Sequence, residues 1–371
     1  MKVLVTIASE QIWPQIIPFY VIKPEKVVII HSGNFEKSKN QANRLADFWR
    51  NEETKLCCNS VILREMKELD YPDFLSSEIS STDEVFVNLT GGLKTMSLML
   101  HTWAILNKAR EFYINEKNKI QWFLFSNNEF SLDREEPIPV GVVREINGID
   151  PVSIAKLYYG PEHIIDGSLV ETTNDIHNIS KKSSSNYKNG VKLEIVLLNF
   201  FLNLFKKDKR FDIKNCKLRH SVRLKSANSD IENEEIDILI NYNCTLIIVE
   251  SKMRRKVVDV DASYKQLIAN CYNGKKAEND GALKKLIGKI NSDISQNKFL
   301  QFKSDLYSAR LLSGLKAKVL WVTTSMQHLP EHLERFCREH NIKHINVSFG
   351  IGENLSMESR DKLTAFIARC L

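Results

Sequence analysis

The sequence is poor in the features that mark secreted, membrane and metal-cluster proteins. It has seven cysteines in 371 residues, and they form no CxxC pair and no other metal-ligand spacing. Reduced thiols in a cytoplasmic protein are the simplest expectation. No uninterrupted apolar run approaches the length of a membrane helix, and Met1 leads directly into a strand-like run in place of a signal peptide. We therefore expect a cytoplasmic protein with no membrane partner.

The composition predicts two folded domains of opposite charge. The apolar fraction of 43% supports full-sized cores. Residues 1–150 hold 17 Lys+Arg against 21 Asp+Glu, whereas residues 151–371 hold 35 against 25, so the net charges are −4 and +10. The basic half suits nucleic acid as a partner. The alternative is a soluble domain that is simply rich in lysine.

Strand-like runs alternate with helical segments through the first half. The runs at 3–8, 27–30, 61–63 and 84–88 are rich in apolar and β-branched residues, and 36–50 has helical spacing. This alternation predicts a parallel sheet of Rossmann type, and hence an α/β fold. We predict a further strand at 140–143, at an edge because prolines precede it.

The predicted domains are 1–150 and 189–371, with a linker region at 151–188. The linker is polar, and the part expected to have the least secondary structure is Ser183-Ser184-Ser185-Asn186. A short helix is expected near 154–157.

One strand of the first half runs into the loop Asn88-Leu89-Thr90-Gly91-Gly92-Leu93-Lys94-Thr95-Met96. Glycines between a strand and a helix allow the backbone to approach a ligand, and the helix N-terminus offers free N–H groups to a phosphate. Thr90 adds a hydroxyl and Lys94 adds a charge. The spacing is neither G-x-x-x-x-G-K-[ST] nor G-x-G-x-x-G, and a purely structural turn is the alternative. The turns at Ser9 and Gly33 follow neighbouring strands and are expected at the same sheet edge.

The helix after this loop is predicted to bury one face. The residues expected on that face are Leu93, Met96, Leu100, Trp103 and Ala104.

The second half contains a predicted β-hairpin that ends in charged residues. Two β-branched runs flank Asn241-Tyr242-Asn243, which predicts a turn centred near Tyr242 and Asn243. Asp237 and Glu250 then lie at the open end, and Lys252 points to the same face as Glu250. Two carboxylates can hold Mg²⁺ or Mn²⁺, and a lysine can offset charge on a phosphate. The alternative is an ordinary hairpin with a solvated Glu–Lys pair.

A third acid is predicted on the first helix of the second domain. Glu194 shares a stripe with Leu198, Phe201 and Phe205. A carboxylate on a core-facing stripe needs a partner or a metal. The alternative is an acid favoured by its place near the helix start.

Two basic segments could line a nucleic-acid groove. They are Arg219, His220, Arg223 and Lys225, and the run 253–256 that follows Glu250 and Lys252. A solvated basic face is the alternative.

Two motifs together resemble the type III CRISPR effectors that join a CARF (CRISPR-associated Rossmann-fold) domain to a PD-(D/E)xK nuclease domain. The first is the loop Thr90-Gly91-Gly92-Leu93-Lys94, and the second is Glu194 with Asp237 and Glu250-Ser251-Lys252. The resemblance covers essentially the whole chain and implies a restriction-endonuclease-like α/β fold for 189–371. One departure is Ile236, which stands where the family name suggests a proline before the first acid.

The resemblance implies a homodimer that binds a cyclic oligoadenylate, commonly cyclic tetra-adenylate, across its axis. The ligand-binding residues it implies are Thr90, Gly91, Gly92 and Lys94, together with Ser9, Gln11, Gly33 and Asn34. The predicted catalytic residues are Glu194, Asp237, Glu250 and Lys252. The predicted ligands of Mn²⁺ or Mg²⁺ are Asp237, Glu250, the backbone carbonyl of Ser251, and Glu194 through water.

The functional hypothesis is a cyclic oligoadenylate-activated, metal-dependent endonuclease in type III CRISPR antiviral defence. Its expected substrate is DNA, RNA or both, with single strands preferred. Two alternatives remain open: a CARF-type nucleotide-binding regulator with an inactive nuclease domain, and a constitutive restriction or repair nuclease.

Overall fold

A computed structural model describes most of the chain. The described residues are 1–33, 36–50, 58, 60–66, 75, 77–126, 129–182, 188–207, 217–224, 234–252, 317–324, 331–350 and 354–370. Within them, no helix combines the length and apolarity needed to cross a membrane.

The first half is built on a seven-stranded sheet of order β3-β2-β1-β4-β5-β6-β7. Its strands are β1 Lys2–Ile7, β2 Lys26–Ser32, β3 Ser60–Met66, β4 Glu84–Asn88, β5 Arg110–Ile114, β6 Lys119–Ser126 and β7 Glu129–Pro137. Strands β1 to β5 pair in parallel, and β6 and β7 add antiparallel strands at one edge. The predicted α/β class is confirmed.

Helices cover both faces of this sheet. They are α1 Trp13–Ile22, α2 Glu36–Arg50 and α3 Lys94–Leu106. Along β1, Leu4 packs into the core that contains α1 and α2, whereas Val3 and Val5 pack into the core that contains α3. A central strand that is buried on both faces is mostly apolar, which explains the run Val3-Leu4-Val5 at the start of the chain.

Two predictions for the first half are wrong. Residues 140–143 begin a helix, α4 Val140–Asn147, and do not form a strand. Val142 and Ile146 are four residues apart and both buried, which is a helical spacing that a four-residue window could not show. Leu93 is 51% exposed, because it caps α3 instead of joining its buried face, whereas the other four residues of that face are buried.

The second half contains another seven-stranded sheet, of order β14-β13-β12-β11-β10-β8, with β9 also paired to β10. Its strands are β8 Ile164–Ile165, β9 Ser168–Val170, β10 Leu218–Leu224, β11 Glu234–Tyr242, β12 Thr245–Lys252, β13 Ala317–Thr324 and β14 Ile342–Val347. The helices are α5 Pro151–Tyr159, α6 Thr173–Lys182, α7 Lys188–Lys207, α8 Glu331–Glu339 and α9 Met357–Ala368.

The segment interpreted as a linker contributes structure to this second sheet. It contains α5 and α6, and its strands β8 and β9 pair antiparallel with β10. Residues of α5 pack in one continuous core with α1, α2 and the face of β11 and β12 that carries Leu239 and Ile248. The opposite face of the sheet packs against α7 and α9.

The predicted hairpin is formed by β11 and β12. Tyr242 pairs with Thr245, so the turn residues are Asn243 and Cys244, one position later than expected. Both have positive φ, 47° and 54°, which is the conformation of a tight two-residue hairpin turn.

The closed end of this hairpin is bonded to the end of α4. Asn241 is fully buried, and its Nδ2 donates to the carbonyls of Ile146 at 2.7 Å and Ile149 at 3.1 Å. The Asn243 backbone N–H donates to Asn147 Oδ1 at 2.6 Å. Consequently the turn end of the hairpin is held by the first half, and its open end points away from that contact.

Candidate functional sites

The first candidate site is the loop between β4 and α3, at the carboxyl edge of the first sheet. Gly91 has φ +98° and Gly92 has φ +70°, so both occupy the left-handed region that favours glycine. A Cβ on Gly91 would lie 2.6 Å from Ser9 Oγ, and one on Gly92 would lie 2.3 Å from Ile7 Cγ2. Both glycines are therefore required by conformation and by their approach to the end of β1.

The loop presents a helix N-terminus without a side-chain cap. Leu93 is the N-cap residue of α3 and makes no capping hydrogen bond through its side chain. Lys94 is the first residue of the helix, and it is exposed. Backbone N–H groups and a lysine at an open helix start favour an anion.

A buried polar network supports this loop from below. Asn88 Nδ2 donates to Thr6 Oγ1 at 3.0 Å and to the Pro14 carbonyl at 2.8 Å. Gln15 Nε2 donates to the Thr90 carbonyl at 3.0 Å, and Gln15 Oε1 accepts from the Thr6 hydroxyl. The sequence analysis missed Gln15 and Asn88. The available signal was an amide in each of two otherwise apolar buried segments.

Thr90 belongs to this network and is itself buried. Its exposed fraction is 1%, its N–H donates to Asn88 Oδ1 at 3.0 Å, and its Oγ1 accepts from the Ile114 N–H at 2.7 Å. Its side chain thus fixes the loop to β5, and Gly92 and Lys94 are exposed residues of the loop that could meet a ligand.

The other residues predicted for this site lie at the same edge where they are described. Ser9 Oγ accepts from the Gln11 N–H at 3.2 Å, which folds the turn after β1. Gly33 follows β2, and a Cβ there would lie 1.9 Å from Glu65 Oε1. Asn34 lies outside the described residues.

The second candidate site is the open end of the β11–β12 hairpin. Glu250 is 2% exposed, and Lys252 is exposed. Asp237 is partly buried, and its Oδ2 accepts from the Ser251 N–H at 2.6 Å and from Ser251 Oγ at 2.9 Å. The structure therefore brings Asp237 to the Glu250-Ser251-Lys252 strand end, as predicted.

Strand pairing is irregular beside Asp237. Strands β10 and β11 pair at His220 with Ile238 and at Val222 with Ile236, but the ladder omits Ser221 and Asp237. Ser221 has φ +60°, an unusual conformation for a residue with a side chain. The pairing register is the same on both sides of this gap, so it is a local distortion and not a bulge. Residues held in such sparsely populated conformations cluster at functional sites.

Glu194 reaches this region from α7. Its Oε2 lies 2.8 Å from Nε2 of His220, and the two side chains are 16% and 11% exposed. The pKa of Asp237 is raised to about 7, first because burial disfavours its charged form and second because the Glu194 carboxylate repels it. Lys252 and the hydrogen bonds from Ser251 act in the opposite direction.

The acids fit a hard divalent cation in their chemistry, although they do not form a finished coordination sphere. Within the described ranges, no three His, Cys, Asp or Glu side chains are arranged to hold a metal. Repulsion between Asp237 and Glu194 nevertheless marks a place where positive charge is favoured, and carboxylate oxygens are the ligands that Mg²⁺ and Mn²⁺ prefer.

The structure does not support Arg219 and His220 as part of a basic groove. Arg219 Nε donates to Asp150 Oδ1 at 3.0 Å, and Arg219 Nη1 donates to the Gly167 carbonyl at 2.8 Å. His220 is hydrogen-bonded to Glu194. Both serve internal contacts, whereas Arg223 is exposed. Lys225 and the run 253–256 lie outside the described residues.

An exposed apolar face lies beside the first site. Leu98 of α3 is 64% exposed, and Phe125, Phe130 and Leu132 of the β6–β7 hairpin are also exposed. His101 of α3 packs edge-on against Phe130 with 4.6 Å between ring centroids, so helix and hairpin are neighbours. We call Leu98, Phe125, Phe130 and Leu132 the apolar face.

Comparisons with known proteins agree with the α/β fold. Residues 3–138 match the family model described as Card1 CARF domain, which confirms the expected CARF domain in the first half. A comparison with curated proteins found no match. Protein VC1899 from Vibrio cholerae is similar over 99% of this chain and 97% of its own, with 12% identity and a TM-score of 0.54. Can2 from Sulfobacillus thermosulfidooxidans, solved in complex with cyclic tetra-adenylate, is similar over 98% and 97%, with 14% identity and a TM-score of 0.55.

Proposed function

We propose that this protein is a metal-dependent endonuclease that a cyclic oligoadenylate activates in type III CRISPR defence. One observation carries the proposal: the end of the β11–β12 hairpin gathers Asp237, Glu250 and Lys252, and Glu194 approaches from α7. Two strand acids, a lysine and a helix acid form a set that can support metal-dependent phosphodiester cleavage.

The proposed activator is cyclic tetra-adenylate, bound at the loop of Gly91 and Gly92. Each of its four phosphates carries a negative charge, and the exposed glycine backbone, the open start of α3 and Lys94 offer complementary donors. The CARF match over residues 3–138 and the cyclic tetra-adenylate bound to the similarly folded Can2 support this choice.

The proposed active form is a homodimer that pairs through the apolar face. Its residues extend from α3 to β7, next to the ligand loop. A two-fold interface uses the same patch on both subunits, so two ligand loops would lie near one axis and could share one symmetric ring. Exposed apolar side chains in a cluster also favour association over solvation.

Asp237, Glu250 and the backbone carbonyl of Ser251 are proposed to hold Mn²⁺ or Mg²⁺, with Glu194 acting through water. A bound divalent cation would polarise the scissile phosphate and lower the pKa of a water. Lys252 is exposed at the strand end, where its ammonium group can offset charge that develops on the phosphate. Ser251 fixes Asp237 through two hydrogen bonds and so orients its carboxylate.

A cleavage assay tests the proposal directly. Wild-type protein is incubated with labelled single-stranded DNA or RNA, with and without Mn²⁺ and cyclic tetra-adenylate. We expect cleavage only when both are present, and we expect Glu250→Ala to abolish it. Glu358→Ala is the matched control, because Glu358 is an exposed carboxylate on α9 that pairs with exposed Lys362.

The outcomes separate the alternatives. Cleavage without cyclic oligoadenylate would indicate a constitutive nuclease. Binding of the ring without cleavage of any substrate in Mn²⁺ or Mg²⁺ would indicate a regulator with an inactive second domain. Wild-type activity in Glu250→Ala would refute the assigned site.

A further inference from the structure

His220 and Glu194 form a largely buried pair between α7 and β10. The distance of 2.8 Å between His220 Nε2 and Glu194 Oε2 is that of a hydrogen bond with Nε2–H as donor. Counted over the whole residue, backbone included, His220 is 8% exposed. The sequence analysis placed His220 on a nucleic-acid-binding surface, and its enclosed position requires another explanation.

The local course of β10 places His220 beside the acids. His220 pairs with Ile238, which is the residue next to Asp237 on β11. Leu218 packs into the core below α7, whereas Val222 packs into the opposite core. The change of face occurs at Ser221, whose φ is +60°. His220 is therefore directed at α7 immediately before the irregular pair Ser221–Asp237.

Glu194 needs such a partner to remain at the acid cluster. It lies close enough to Asp237 for the two carboxylates to repel each other. A glutamate side chain has several rotamers, and repulsion favours those that turn the carboxylate away from Asp237. A hydrogen bond from a buried imidazole opposes that rotation. It uses one carboxylate oxygen and leaves the carboxylate with acceptor capacity for a further ligand.

We infer that His220 is a positioning residue of the nuclease site, which holds Glu194 toward Asp237 so that the acids can bind a divalent cation together. This inference rests on the proposed function. Side chains that orient metal-binding groups typically change metal affinity by about 10- to 100-fold when they are removed.

Mn²⁺ titration by calorimetry provides the test, in the full-length protein and independently of cleavage. His220→Phe keeps the ring shape and removes the donor, so we expect Mn²⁺ affinity to fall by about 10-fold or more. His220→Gln can place an amide N–H near the position of Nε2, and we expect it to retain most of the affinity. His220→Asn keeps an amide that ends too far from Glu194, and it should resemble His220→Phe even if the Phe variant fails to fold.

A matched control breaks a similar pair elsewhere. In the first half, His101 Nδ1 lies 2.9 Å from Oε1 of the buried residue Glu111. His101→Phe removes a His–Glu pair of the same kind, and it should leave Mn²⁺ affinity unchanged.

The results distinguish the inference from the function on which it rests. Wild-type protein that neither binds Mn²⁺ nor cleaves nucleic acid would overturn both. If the wild-type protein binds Mn²⁺, and His220→Asn and His220→Gln both bind it with wild-type affinity, only the role of His220 is overturned. A His220→Phe effect that persists undiminished in a Glu194→Gln background would also overturn it, because His220 is proposed to act through Glu194.

Discussion

The charge of Asp237 depends on its surroundings. Its ordinary pKa is 3.8, and burial and the Glu194 carboxylate raise it to about 7. Between these two pH values the folded chain binds a proton that the unfolded chain has lost. The free energy of unfolding of the metal-free protein should therefore decrease as pH rises from about 4 to about 7, with a slope that approaches 1.4 kcal/mol per pH unit.

Urea unfolding in a chelator, at several pH values across this window, measures the effect. Asp237→Asn cannot ionise, so its decrease should be smaller than that of the wild type. Parallel pH profiles for the two proteins would contradict the raised pKa.

Gly92 tests the geometry of the ligand loop at the level of a single Cβ atom. Gly92→Ala places a methyl group 2.3 Å from Ile7 Cγ2 at φ +70°, so we expect a loss of about 1–3 kcal/mol in the free energy of unfolding and weaker binding of cyclic tetra-adenylate. Gly141→Ala is the control, because nothing lies within 4 Å of its Cβ position and Gly141 is inside α4. It should be stabilising by about 0.5–1 kcal/mol. Equal stability and ring affinity in the two variants would show that the loop tolerates a side chain.

The sequence predicted residues whose place depends on their own backbone conformation or on neighbours close in the chain. Gly91 and Gly92 need their backbone conformation, and Asp237 and Glu250 are placed by the symmetry of one hairpin. His220 and Gln15 could not be assigned in this way, because their partners are 26 and 75 residues distant along the chain. A periodicity shows which side of an element a residue occupies, and it does not show what faces that side.

At the scale of elements, α3 and the β6–β7 hairpin carry the proposed contact between subunits. Leu98→Glu puts a charge on the apolar face, and Leu98 is 64% exposed, so the fold should tolerate the change. We expect a shift from dimer to monomer, because burying an unpaired carboxylate opposes association. Light scattering after size-exclusion chromatography measures the mass.

The control for this variant is Met357→Glu. Met357 is 80% exposed and lies at the start of α9, outside the apolar face. It should leave the mass unchanged. A Leu98→Glu protein that remains dimeric would place the interface elsewhere.

Polarity decided which elements the sequence could predict. Apolar runs such as β1 and β12 were identified because both faces are buried. β7 was missed because almost all its residues are exposed, and pairing with β6 alone makes it a strand. Residues 140–143 were assigned to a strand from their valines, but they form the start of α4, which ends at Asn147. Asn147 and Ile149 then accept hydrogen bonds from the second half.

At the scale of the whole molecule, activation requires that the ring bind the active arrangement more tightly than the resting one. A shift from about 1% to about 99% active needs roughly 5.5 kcal/mol of such preference. Lys94→Ala removes a charge at the ring and leaves the acids untouched. We therefore expect it to raise the cyclic tetra-adenylate concentration needed for half-maximal cleavage, without changing Mn²⁺ affinity.

Calorimetry gives the stoichiometry in the same experiment. One ring per two chains is expected if two loops share it across a two-fold axis. One independent ring per chain, or full cleavage without any ring, would contradict activation through a shared ligand.

The contacts between the end of α4 and the hairpin turn also bear on how such proteins can be recombined. Asn241 and Asn243 take their hydrogen-bond partners from residues 146–149, which lie before the sequence-based boundary at 150. A fusion that joined this second half to a different sensor at that boundary would leave a buried amide to find new partners. A transplanted unit that keeps these hydrogen bonds must therefore begin before Ile146, and it includes the end of α4 together with the second half of the chain.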